Sequence, residues 1–174
     1  MTPKNLSAIH RYLAVTSVGP STVRGSPQGT ADAARNFLSA LRLKQFGTSD
    51  RARFSSALDR QTEVLRRSLP ATRRHWGLAR KVLNIFLHNA FYNYYLRRAN
   101  FLGKAERLFE LPIDSAVVRG LRRATTDAVL PTWQGLSRLT ISENEEFQVC
   151  ALQVARQMRI SRVHLDAILW TQER

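Results

Sequence analysis

Two charged residues in this 174-residue chain stand where a need for solubility does not account for them. Lys81 lies in the run WGLARKVLNIFLHNAFYNYYL, in which Val82, Leu83, Ile85, Phe86, Leu87, Ala90, Phe91, Tyr94, Tyr95 and Leu96 spread round nearly the whole helical circumference. A helix with no wide polar face is a buried one, so an ammonium in its first turns needs a partner or a task. Asp114 follows Leu111, Pro112 and Ile113 and precedes the helical run SAVVRGLRR, which is an N-cap position. A lysine amine that has lost its proton is a nucleophile toward carbonyl-like carbon and forms Schiff bases. A fixed carboxylate stabilises positive charge that develops beside it. The plainer readings are a lysine whose stem runs along apolar surface to water and an aspartate that only caps a helix. Whether the fold brings the two side chains together decides between them. A second pair, Asp166 and Trp170, falls at i, i+4 in the run RVHLDAILWTQ and so shares one helical face.

Only helices are on offer to position these groups. Residues 3–16 suit a short amphipathic helix with Leu6, Ile9 and Leu13 inward. Residues 18–29, VGPSTVRGSPQG, hold three of the eight glycines and two of the six prolines, so a long loop is expected there. Helices follow over about 31–46, capped by Thr30, and about 51–68, capped by Ser49 or Asp50. The spacing then predicts a central helix over about 78–99, a short helical turn from Lys104 to Glu110, and a helix over 115–124 capped by Asp114. After a break at Leu130 to Trp133, Ser142 with Glu145 reads as a capping box opening a helix to about Met158. Ser161 caps a last helix. No alternating run of strand length occurs, nor any repeat, so the expectation is one all-α domain over residues 1–174.

The charge points to a polyanion. Lys and Arg number 27 against 13 Asp and Glu, a net charge of +14, which acts on association rather than on fold. Arg66, Arg67, Arg73, Arg74, His75 and Arg80 cluster just ahead of Lys81, where they could grip phosphates and set register without reading sequence. The single cysteine, Cys150, excludes an intrachain disulfide and a cysteine-only iron–sulfur cluster. His10, His75, His88 and His164 show no metal-ligand spacing with Cys150 or with each other, and no glycine-rich phosphate loop leads into Lys-Ser/Thr. No metal, no cofactor and no nucleotide hydrolysis are therefore expected. With no run of 18 apolar residues and no signal peptide, the expected setting is cytoplasmic, in a bacterium or virus, without membrane attachment.

The segments RKVLNIFLHNAF and LPIDSAVVRGLRR together resemble the helix-hairpin-helix superfamily of DNA glycosylases. In that superfamily an Arg/Lys-Lys pair opens a hydrophobic helix, and a Pro-Val/Ile-Asp-Ser/Thr-x-Val/Ile-x-Arg run supplies an aspartate. The resemblance spans roughly residues 69–170, with residues 69–123 as the hairpin-like segment and catalytic core, and is closest in spacing to the archaeal 8-oxoguanine branch. The hairpin itself is degenerate, with only Leu69, Pro70 and Gly77 in place of the usual Leu-Pro-Gly-Val-Gly run. The resemblance implies that Lys81 is the Schiff-base nucleophile and Asp114 the catalytic carboxylate. It further implies a base pocket of Trp170, Asp166, Ile85 and Gln28, and DNA contacts that include Arg119 of the aspartate run. Where that branch has an aromatic after the lysine this chain has Ile85, and where it has a second acid this chain has Ala116. Both changes leave room for a bulkier modified base, such as a glycosylated pyrimidine of phage DNA removed in antiviral defence.

These residues imply a monomer that flips a damaged or modified base out of double-stranded DNA and excises it, with strand nicking at the resulting abasic site. Two other classes compete. A non-enzymatic all-α DNA-binding protein would use the same arginines without needing Lys81 or Asp114, and a basic adaptor would take ribosome or membrane as its partner.

Overall fold

Helical spacing carries through the chain, which forms eight α-helices and no strand among the described residues. The computed structural model describes residues 1–20, 22–23, 25–125 and 130–171, the side chain of Trp170 excepted. The helices are α1 (Pro3–Ser17), α2 (Thr30–Ala40), α3 (Arg51–Ser68), α4 (Trp76–Tyr92), α5 (Tyr94–Ala99), α6 (Ser115–Ala124), α7 (Ile141–Gln157) and α8 (Leu165–Thr171). Short 3₁₀ turns lie at Leu43–Phe46, Ala71–Arg73, Leu102–Ala105 and Arg162–His164.

The all-α expectation holds, while several boundaries move for local reasons. The helix expected over 31–46 stops at Ala40, Leu41 turns extended, and the remainder becomes a 3₁₀ turn. Thr30 is the first helical residue rather than the cap, because Gly29 takes the cap with a left-handed φ of 85°. The central helix breaks at Asn93, whose side chain accepts from the Leu96 amide and starts α5 afresh. The capping box is Thr140 with Glu143, two residues earlier than Ser142 with Glu145, and both of its reciprocal bonds form. Asp50 and Asp114 cap α3 and α6 as their positions predict.

The apolar side chains sort into two clusters. The larger joins α1 to α5 and includes Phe46, Phe54, Phe86, Phe91 and Phe109, all buried. The smaller joins α6, α7 and α8 with Leu111, Ile113 and Leu139. Truncating any of these phenylalanines to Ala should cost about 3–5 kcal/mol. Helix α4 belongs to the first cluster and is buried along most of its length; Ile85 and Asn89 are half-buried because they face a cavity. Two glycines allow close approaches, one between the clusters and one within the smaller. A Cβ on Gly77 would lie 2.4 Å from the Leu136 carbonyl oxygen, so the 135–139 segment can press onto the start of α4 only there. Gly120 likewise seats Leu169, fixing α8 against α6.

Arg80 is buried rather than on the surface with its neighbouring arginines, which corrects the expectation that it grips DNA. Its side chain is buried and donates to both carboxylate oxygens of Glu110 at 2.9 Å, to Asp59 at 2.9 Å and to Thr62 at 3.0 Å. Burial pushes the Glu110 carboxyl up, but the Arg80 guanidinium, helped by Arg162 and Asn84, more than offsets this and holds it below the usual range. Position 80 lies one residue from the cavity lysine on a helix buried on both sides, so its side chain points the other way, into the seam between the clusters.

Candidate active site

The seam opens on its other side into a cavity of about 710 Å³, walled by the C-terminal end of α1 and its following loop, one face of α4 from Leu78 to Asn89, the first turn of α6, the 133–137 segment and α8. A volume of this order suits a flipped nucleotide or a drug-sized ligand. Lys81 enters from the first cluster and Asp114 from the second, and Lys81 Nζ lies 3.0 Å from Asp114 Oδ2. The two carboxylate oxygens have separate tasks. Oδ1 accepts the Ala116 and Val117 amides at 3.0 Å each, while Oδ2 is left to the lysine. The extended backbone of Asp114 (φ −149°, ψ −176°) turns the chain into α6 and aims the carboxylate over the helix start, where an anion is favoured. Lys81 is 9% exposed and Asp114 29%, so the pair meets water only through the cavity mouth.

Asp166 completes the acidic side of the cavity. Burial, together with the nearby charge of Asp114, pushes its carboxyl up to about 6, against an opposing pull from Lys81. Behind it His88 Nδ1 stands 3.7 Å from Asp166 Oδ2, and burial pushes this imidazole down to about 4. The contact is therefore no ion pair: above pH 6 only the aspartate is charged, below 4 only the histidine, and between them neither is. The buried Nε2 of His88 has no hydrogen-bond partner among the described residues.

Ile85, Ala116 and Asp166 line the wall, and Arg73 and His75 lie at its rim. Gln28 does not: it is exposed, and the 18–29 loop faces the cavity instead with Gly19, Thr22 and Ser26. The loop turns twice through left-handed glycines, Gly25 and Gly29, which brings its middle rather than its end to the wall. The side chain of Trp170 lies outside the described residues. Arg66 and Arg67 are on the surface of α3, both bonded to Glu63 at 2.7 Å, and these bonds pull the Glu63 carboxyl down to about 2. Arg74 is exposed and donates to the Leu69 carbonyl, Arg73 donates to the Gly25 carbonyl, and Arg119 is exposed on the outer side of α6. Sequence reasoning missed Trp133 and Leu136, which close the cavity opposite α1. Their only signal was a proline-marked break, which foretells a loop but not where the loop lies.

Among the described residues no group of three His, Cys, Asp or Glu could hold a metal ion, and no helix is long and apolar enough to cross a membrane. No protein family, no curated protein and no solved structure matches this chain.

Proposed function

We propose that this protein is a DNA glycosylase which takes a damaged or modified base, flipped from duplex DNA, into the cavity and excises it through a Schiff base on Lys81. One observation carries the reading: a buried lysine amine and a helix-capping carboxylate, delivered by separate clusters, meet at 3.0 Å inside a cavity of nucleotide size. A purely structural lysine would extend to water, and a plain cap would need only one of its oxygens.

Extrusion of the base costs a few kcal/mol, which the fitted cavity offsets. Lys81 first gives up a proton to water at the cavity mouth, which leaves Asp114 Oδ2, its neighbour at 3.0 Å, ionised. The freed nitrogen pair attacks C1′, a new C–N bond forms, and the glycosidic bond breaks with its electrons leaving on the base, which takes a proton. Asp166 in its protonated form is on the wall to supply that proton or to hold the base. Asp114 stabilises the positive charge that builds at C1′ as the old bond lengthens. Opening of the sugar then gives an iminium, loss of a C2′ proton expels the 3′-phosphate, and hydrolysis frees Lys81. Arg73 at the rim, with Arg74, Arg66 and Arg67 beyond, supplies positive charge for the flanking phosphates, and the His75 ring can hydrogen-bond to them.

The wall favours a large modified base as substrate. Ile85 and Ala116 contribute short, apolar side chains to a cavity of about 710 Å³, which suits a bulky substituent such as the sugar of a hypermodified phage pyrimidine. Excision of such a base is an antiviral act rather than repair.

Borohydride trapping on duplexes carrying a panel of modified bases tests the reading. A covalent protein–DNA adduct that Lys81→Gln abolishes is the expected result. Duplex binding without an adduct on any substrate would leave a non-enzymatic DNA-binding protein. Base release without an adduct would make water, not Lys81, the nucleophile.

A further inference from the structure

At the other end of α4 from Lys81 the rings of Tyr94 and Phe101 stand in water, 63% and 50% exposed. Phe101 is held there by its backbone, which takes a left-handed φ of 57°, a conformation a bulky L-residue adopts only when its surroundings impose it. The imposing contact is at Gly47: a Cβ there would lie 2.0 Å from the Asn100 carbonyl oxygen, so the two segments close on each other only around a glycine. The outward ring is thus built in.

Cations surround these rings. Lys44 Nζ and Lys104 Nζ lie 5.9 and 5.4 Å from the Phe101 centroid, within cation–π range, and Arg98 Nη1 donates to the Tyr94 hydroxyl at 3.1 Å. Between them is a hollow of about 370 Å³ lined by the two rings, Arg97, Arg98, Gly103 and Lys104, with no acid and no aliphatic side chain in its wall. Arg97 is already engaged, stacked 4.4 Å from the Phe91 centroid and paired with Glu106, which leaves Arg98 and Lys104 to face a ligand.

We propose that this hollow is a second nucleic-acid contact, one that takes unpaired bases of a single strand. The rings of Phe101 and Tyr94 offer flat faces for stacking, and Arg98, Lys104 and Lys44 offer charge for the neighbouring phosphates. A duplex would not use the rings, because its base faces are covered by their neighbours. An anionic membrane would need aliphatic surface beside the aromatics, as on an amphipathic helix, and the wall here has none. The inference does not depend on chemistry at Lys81.

Fluorescence anisotropy of the full chain with labelled oligothymidylate tests it. Replacing both rings, Tyr94→Ala with Phe101→Ala, should weaken single-strand binding about 5- to 150-fold for each base that loses its stack, while leaving duplex binding unchanged. Lys104→Gln, at an exposed site that cannot unfold the protein, should lower the salt slope by about 0.7. A strand of tetrahydrofuran spacers keeps every phosphate, lacks bases and cannot form a Schiff base; the parent protein should bind it as weakly as the ring-less variant binds thymidylate. Equal affinity for the spacer strand and thymidylate would overturn the stacking role even if the double variant misfolds. Loss of binding to phosphatidylserine vesicles, with oligothymidylate binding intact, would make the patch a membrane contact and overturn the proposal.

Discussion

Replacing Asp166 by Asn leaves the cavity wall its shape and removes one titrating carboxyl. In the folded protein that carboxyl is raised from 3.8 to about 6. The unfolded chain therefore releases this proton first as pH rises, and the native state loses stability from about pH 4 until the penalty is complete just above pH 6. A shift of about two units has a ceiling of about 3 kcal/mol. The side chain is 36% exposed, however, so water screens much of that, and we expect about 1 kcal/mol. Urea denaturation of parent and Asp166→Asn from about pH 4 to about pH 8 reads it directly. The variant should be the more stable by about 1 kcal/mol at neutral pH, with an unchanged denaturant slope, and the advantage should vanish near pH 4. An advantage that persists at pH 4 would come from packing or the new amide, not from charge. Equal stability at every pH would mean the carboxylate is fully hydrated, and the electrostatic picture of the cavity would fail.

Asp114→Asn should keep its cap while excision falls about 100- to 1,000-fold, whereas Asp114→Ala should lose both the rate and about 1 kcal/mol of stability; single-turnover base release and thermal melting separate them. Arg80→Met should destabilise by about 3 kcal/mol, because Glu110, only 16% exposed, loses its ion-pair partner, and should leave the salt slope of duplex binding unchanged. Adding Glu110→Gln should recover much of that loss in a urea titration, and no recovery would refute the network account. Gly77→Ala gains about 1 kcal/mol of helix propensity yet should destabilise overall, since the new methyl meets the Leu136 carbonyl at 2.4 Å; a raised KM would report the displaced cavity wall.

How much of this was legible in the sequence varied with how local the cause was. Asp114 reads as a cap from its neighbours alone, because capping is decided within four residues. The break at Asn93 hides inside an apolar run, where the side chain of one asparagine outweighs a periodicity that favours continuing. Thr140 and Ser142 are both competent caps with an acid three residues on, and only packing of Phe147 and Cys150 in the second cluster selects the register. Arg80 and Lys81 are neighbours in sequence, but about 100° of helical rotation sends one to Glu110 and the other to Asp114. Composition cannot see that rotation, and so grouped Arg80 with the arginines expected to grip DNA. Asp166 was placed by resemblance, yet its companion His88 sits in the middle of an apolar stretch and carries no signal until α8 is seen to pack across it.

Lys81 and Asp114 are carried by different apolar clusters, so the pair exists only where both clusters have formed and docked. The first cluster needs little beyond residue 109, and it already carries Lys81 and the arginines at 66, 67, 73 and 74. Asp114 is aimed only once α6 is capped and seated on α7 and α8. A nascent or half-folded chain can thus hold nucleic acid by charge but has no assembled pair with which to cut it. On the proposed reading, making the pair depend on both clusters confines strand breakage to finished molecules, a form of quality control that needs no inhibitor.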